Sequence, residues 1–426
     1  FQLKNLRMKL QKIFLRYFPP GLAFNYVRNN GQEETKCVDI FDLTANSDLE
    51  LITKQLKKKE PTIFTKDVLP QVCELLEKIQ NKLKEPEKNK FYLYKTLQTH
   101  ILPLTNVVFD RSGQKCVTGS YDRTCRIWNV ETGDEINVLK GHENVVFSVA
   151  FNYPKCDKIV TGSFDKTAKI WSVGSGACLN TLWGHTGEIV GTEFNKNSEL
   201  ICTASMDNSA IVWSTETAQE INSFRHHEAE VVSCHFNNTG TMLITGSFDE
   251  YAMVWDIRMK DPCHILRGHD AEISNCIWNF TNDLIATSSL DGTVRVWDLK
   301  KSKDPQFILK HKDEVLDVCF DYTGRIATCS SDCTAKVWDK DSTLMLTLEG
   351  HTDEISKVCF SPNGSLLLTA SADKTARLWK LNNDPDNGLC SQILSGHDNE
   401  LFSCAFNYTG DAILTASKDN TCKIWR

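Results

Sequence analysis

Tryptophan marks the chain off at nearly equal intervals. Trp128, Trp171, Trp213, Trp255, Trp297, Trp338, Trp379 and Trp425 lie 41 to 43 residues apart, except for 46 before the last. Six residues before each Trp stands an Asp, from Asp122 to Asp419, and two before each Asp a Ser, from Ser120 to Ser417. About 22 residues before each Asp is a His, from His100 to His397. Eight copies of one His…Ser-x-Asp…Trp pattern restrict the chain to an array of like units. A repeat of this length cannot bury its apolar faces alone and must pack on its neighbours.

Each unit reads as four short β-rich runs, seen in the second copy as "VVFSVAF", "KIVTGS", "TAKIW" and "ACLNTL". Four such strands per unit make a propeller blade. The quoted "GHENVV" and "TGSFDKTAKIW" resemble the WD-repeat family. The literal Trp-Asp pair occurs three times (Trp255-Asp256, Trp297-Asp298, Trp338-Asp339), and Thr99, His226 and Lys310 replace the Gly before the His. The expected fold class is all-β: an eight-bladed WD-repeat β-propeller closed by an N-terminal strand, plus a small N-terminal α+β module. The resemblance implies a hydrogen-bonded tetrad in each unit, formed by His142, Ser163, Asp165 and Trp171 in the second and His185, Ser205, Asp207 and Trp213 in the third. His, Ser and Asp also spell a hydrolase triad. Eight identical triads suit a structural role better, since a buried His and Asp need partners and each unit supplies its own. "GSFDKT" lacks the Gly-Lys-Ser/Thr order of a phosphate loop. No catalytic residue, metal or cofactor is expected.

The eighth unit reaches Trp425-Arg426 after three strands. An open array would leave an unpaired strand edge. "FYLYKTLQTH", residues 91–100, matches the segments before the other histidines, such as "EINVLKGH", so a strand at 92–98 should complete the last blade. The propeller is thus expected over 91–426 and the module over 1–90. In the module, Asn30-Gly31 predicts a hairpin turn, and Ser47 with Glu50 a capping box opening a helix. A second helix carries the stripe Val72, Leu75, Leu76, Ile79 and Leu83, which forms the module's own core or docks on the propeller, the former being expected. Met8 is a candidate natural start, which makes residues 1–7 upstream sequence.

No run of about 18 apolar residues occurs, so no membrane span is predicted. The first residues make a poor signal peptide, because Lys and Arg interrupt their apolar positions. The 17 cysteines include no CxxC pair, and Cys234, Cys276, Cys319, Cys359 and Cys404 share one repeat position. They read as small buried side chains in a reduced setting. Four sequons start at Asn237, Asn279, Asn363 and Asn407, at equivalent turn positions, where Asn serves geometry better than glycosylation. Residues 1–90 hold 17 Lys and Arg against 12 Asp and Glu, the remainder 31 against 43. An acidic propeller argues against nucleic-acid binding.

Two series mark a binding face. Three residues after the His stands Glu188, Glu230, Glu272, Glu314, Glu354 or Glu400, with Pro103 and Val145 in the first two units. These carboxylates either form an acidic ring at the channel mouth or each serve their own blade. Between Ser and Asp, at the tip of a turn, stand Tyr121, Phe164, Met206, Phe248 and Leu290, then Ser331, Ala372 and Lys418. Five apolar tips in an arc suit a partner with an amphipathic, partly basic segment.

Across nearly the whole chain, "LRYFPPG", "FYLYKTLQTHILPLTNV", "GSYDRTCRIW" and "ELFSCAFNYTGDAILTASKDNTCKIWR" resemble the dynein assembly factor family with WD repeats. That resemblance implies a non-enzymatic, monomeric cargo adaptor. Its implied partners are outer-arm axonemal dynein subunits and an intraflagellar transport complex B subunit. Its implied places are the cytoplasm, the basal body and the motile cilium or flagellar axoneme. A ubiquitin-ligase substrate receptor or a chromatin-complex platform would use the same face; an enzyme is the remote alternative.

Overall fold

The computed structural model describes residues 9–27, 33–41, 43–44, 47–61, 63–64, 68–84, 90–301, 304–381 and 388–426. The expected turn at Asn30-Gly31 and the Met8 start lie outside them. The chain divides into two compact units, Phe1–Glu87 and Lys88–Arg426.

In the first unit, β1 (Lys9–Arg16), β2 (Gly21–Val27) and β3 (Glu33–Asp39) form one antiparallel sheet in that order. The register places Gly21 between Arg16 and Asp39. A side chain at Gly21 would meet the Val38 carbonyl at 2.6 Å. The bare position lets Arg16 reach across the middle strand and pair with Asp39. Two helices follow, α1 (Leu49–Lys59) and α2 (Leu69–Lys84). The cap of α1 is Asp48, not Ser47: its carboxylate accepts from the free amides of Glu50 at 2.9 Å and Leu51 at 3.4 Å. An ionised oxygen at a helix N-terminus satisfies the amides and opposes the dipole, which a hydroxyl does less well. Ser47 instead accepts from the Thr44 amide. The α2 stripe packs inside this unit: Val72, Leu76 and Ile79 are wholly buried against Leu22, Phe24 and Phe64, with Leu75 and Leu83 at the margin. Strand β1 escaped prediction because Lys9, Lys12 and Arg16 interrupt its apolar alternation.

The second unit has an all-β, propeller-like WD-repeat architecture; the molecule's only described helices are α1 and α2. Its described strands form eight four-stranded antiparallel sheets, numbered here in chain order. Sheet 1 comprises Leu104–Phe109, Lys115–Ser120, Thr124–Asn129 and Glu135–Lys140, and sheet 2 Val146–Phe151, Lys158–Ser163, Ala168–Ser172 and Cys178–Leu182. Second strands are buried almost throughout, because sheet neighbours flank them and adjacent sheets cover both faces. Outer strands show only one face to the core, so Leu182 is buried and Leu179 exposed.

Each regularly spaced Trp packs back onto the preceding sheet. Trp171 lies with Val117, Ile127 and Leu139 of sheet 1. Trp128 lies with Leu414, Ala416 and Ile424 of sheet 8, so a common core joins the first and last sheets. Sheet 8 takes its outer strand from β4 (Leu93–Leu97), which pairs antiparallel with Cys422–Trp425 in the register Cys422↔Leu97 and Trp425↔Leu93. Tyr92 and Arg426 exchange both backbone hydrogen bonds, at 2.7 and 2.9 Å. Phe91 is fully buried with Trp425, Leu378 and Leu394. Its amide donates to Gln392 Oε1 at 2.8 Å. Glycine before the His admits a long side chain: a Cβ at Gly268 would collide with the Arg295 guanidinium.

Candidate partner-binding face

The tetrad sets the geometry of one end of every sheet. His142 Nδ1 lies 2.7 Å from Asp165 Oδ2, and His142 Nε2 lies 2.7 Å from Thr161 Oγ1. Trp171 Nε1 donates to the same hydroxyl at 2.8 Å. The carboxylate fixes the ring proton on Nδ1, so Thr161 donates to Nε2 and accepts from the indole. Sheet 3 repeats this with His185, Asp207, Thr203 and Trp213. The remaining six sheets do the same through Thr118, Thr245, Thr287, Thr328, Thr369 and Thr415.

Ser163 and Ser205, expected as members of the tetrads, do not bridge His and Trp. Ser163 accepts from the Asp165 amide at 3.1 Å and donates to the Asn144 carbonyl at 3.2 Å, and Ser205 accepts from the Asp207 amide. The Ser at the strand end lies two residues beyond the Thr that points between His and Trp. That Thr is present in all eight copies as Thr-x-Ser. The hydroxyl facing each imidazole is wholly buried, as Thr161 and Thr203 are, so no substrate carbonyl could approach it. Burial alone would raise the Asp165 carboxyl. The bonds from His142 and Thr167 outweigh it and hold the group well below the usual carboxylate range. The Glu143 amide also donates to Asp165, at 3.0 Å, tying the entry loop to the turn.

On this frame the two candidate series meet. The tip amides of Met206, Phe248, Leu290, Ser331, Ala372 and Lys418 donate at 2.9 Å to the carbonyls of Glu188, Glu230, Glu272, Glu314, Glu354 and Glu400. Tyr121 and Phe164 do the same to Pro103 and Val145 at 3.0 Å. The two series therefore meet at one end of the sheets, with apolar tip and carboxylate together in sheets 3, 4 and 5. Tyr121 (39% exposed) and Phe248 (38%) are open to solvent, whereas Phe164, Met206 and Leu290 are half-buried rather than projecting. Glu272, Glu314 and Glu354 are exposed; Glu188, Glu230 and Glu400 are half-buried. Lys418 lies 3.1 Å from Glu400, so the last carboxylate is neutralised by its own tip residue. Phe147, 37% exposed, stacks on Phe164 with centroids 5.3 Å apart. Alternation hides it in sequence: the register skips Phe147 between Val146 and Ser148, and this bulge turns it outward.

First strands line a cavity of about 600 Å³. There Lys357 Nζ lies 3.2 Å from Asp317 Oδ2, and Asp317 also accepts from Asn275 Nδ2 at 2.8 Å and the Val358 amide at 3.2 Å. The Asp317 carboxylate pushes the Lys357 ammonium pKa up, so the pair stays ionised and links sheets 5, 6 and 7. Among the described residues no group of His, Cys, Asp and Glu could hold a metal. The sequon residues Asn237, Asn279 and Asn407 are buried turn caps, Asn237 Oδ1 accepting from Thr241 and Met242 amides.

The family described as IFT122 first beta-propeller matches residues 103–380, and the WD domain, G-beta repeat family matches 388–426. The chain belongs to the IFT122 first beta-propeller family. This propeller chain is also similar to curated proteins named dynein assembly factor with WD repeat domains 1. It is 49% identical over 152 residues to that of Danio rerio and 47% over 152 residues to that of Homo sapiens. Each match spans 36% of this chain and 36% of the relative. The crystal structure of the computationally designed Ika8 protein superposes with a TM-score of 0.68 and 25% identity, over 78% of this chain and 98% of that one.

Proposed function

We propose that this chain is a non-enzymatic protein-interaction platform, and within that class a cargo adaptor that couples preassembled outer-arm axonemal dynein to intraflagellar transport. Its propeller is a monomeric ring of eight blades closed by β4, which the shared core of sheets 1 and 8 and the β4 pairing support. Its partners are outer-arm dynein subunits and a transport complex B subunit, met in the cytoplasm, at the basal body and in the motile cilium. The names of the relatives and of the matching family support that assignment. The observation that carries the platform reading is the backbone hydrogen bond from each tip residue to the residue three after the His, a Glu in sheets 3 to 8, which gathers both series at one end of the sheets. An apolar arc at Tyr121, Phe164, Met206, Phe248 and Leu290 beside carboxylates suits an amphipathic, partly basic segment. The test is affinity capture from ciliated cells with the full chain and with Phe164→Asp/Phe248→Asp. Dynein arm and transport subunits should be recovered by the first and lost by the second. Capture of ubiquitin-ligase or chromatin subunits in their place would refute the adaptor.

A further inference from the structure

The face is not uniform around the propeller. At the entry-loop and turn positions of sheets 1 and 2 stand Ile101 (76% exposed), Leu102 (46%), Tyr121 and Phe164, with Phe147 stacked beside them. Pro103 and Val145 occupy the places where later sheets carry Glu, and the exposed charges are Arg123, Lys166 and Glu143. The same positions of sheets 3 to 5 carry Glu188, Glu228, Glu230, Glu250, Asp270 and Glu272 and no Lys or Arg. Of the cations bordering this pole, Arg225 and Arg267 lie at outer-strand ends, Arg267 over the Tyr251 ring at 5.3 Å, and half-buried Arg295 lies against Gly268. In sheets 6 to 8 the carboxylates alternate with Lys312, Lys374 and Lys418, the last paired with Glu400. Five successive sheets thus form a strip with an apolar, weakly basic pole and an acidic pole that holds the tips Met206, Phe248 and Leu290 among its carboxylates.

We propose that this strip binds one extended segment of a partner protein whose apolar and basic residues are segregated into two blocks, the apolar block on sheets 1 and 2 and the Lys/Arg block on sheets 3 to 5. The inference rests on the platform reading and narrows it. A block placed on the wrong pole sets Lys against Arg123 and Lys166, and leaves apolar groups against carboxylates. Such mismatches discriminate between partners more than they add affinity.

Two synthetic peptides of equal length and composition test this against the full-length chain by fluorescence anisotropy. One has a Lys/Arg block followed by a Leu/Phe block; the other interleaves the same residues along an amphipathic helix. The block peptide should bind about tenfold more tightly, a difference of about 1.4 kcal/mol. Phe147→Asp and, separately, Glu230→Lys/Glu272→Lys should each abolish that preference, with thermal midpoints unchanged as the check on folding. Equal or tighter binding of the interleaved peptide overturns the two-block strip and leaves the platform standing. Binding of neither peptide overturns both. A preference that survives both variants places the segment elsewhere and overturns the strip.

Discussion

Replacing Thr161 by Val isolates the tetrad from everything around it. The two side chains have nearly the same shape, so no cavity opens and the change is confined to one hydroxyl. That hydroxyl lies 2.7 Å from His142 Nε2 and 2.8 Å from Trp171 Nε1, in a site with no solvent access. Valine leaves a buried indole N–H and a buried imidazole nitrogen without partners. Each orphaned group costs roughly 1–3 kcal/mol, so the variant should lose about 2–6 kcal/mol. Ser163→Ala is the comparison: Ser163 is also buried, but its partners, the Asp165 amide and the Asn144 carbonyl, belong to a half-buried and an exposed residue that water reaches more readily, so its loss should cost about 1 kcal/mol. Urea denaturation of the full-length chain, followed by Trp fluorescence, measures both. A Thr161→Val cost equal to or below that of Ser163→Ala would refute the assignment of Thr as the bridge. Losses should be similar at Thr203, because sheet 3 has the same bonds.

Three further outcomes are expected. In sheet 6 burial depresses the His311 pKa to about 4, helped by Lys336, and its bond to Asp332 is long at 3.1 Å. The unfolded imidazole takes a proton near pH 6.5 that the folded one refuses, so stability should fall as pH drops from about 6.5 to 4, by on the order of 3 kcal/mol. An NMR titration placing His311 at its ordinary value would exclude this. Phe91→Ala should cost about 3–5 kcal/mol, and deletion of 91–99 should unfold all eight sheets together; hydrogen exchange that loses protection in sheet 8 alone would contradict ring closure. Asp48→Ala should lower stability of the first unit by about 1 kcal/mol and expose the first amides of α1, with Ser47→Ala near neutral; the reverse order would restore Ser47 as the cap.

The Trp, Asp and His spacings determined the repeated four-strand unit, and the match of 91–100 to later pre-His segments foretold which strand would join Trp425. These features are local and periodic, so they survive without three-dimensional knowledge. Tertiary structure decided what periodicity cannot express. Thr rather than Ser bridges His and Trp, because only the Thr hydroxyl lies within hydrogen-bond reach of both rings, while the equally buried Ser two residues on bonds the turn backbone. Phe147 turns outward because a bulge breaks the alternation that would have buried it. Asp48 caps α1 because its carboxylate, and not the Ser47 hydroxyl, lies against the free amides. Residues 41 to 43 apart in the chain become lateral neighbours only when the sheets pack, which is when scattered Glu, Lys and aromatic residues resolve into a face with two poles.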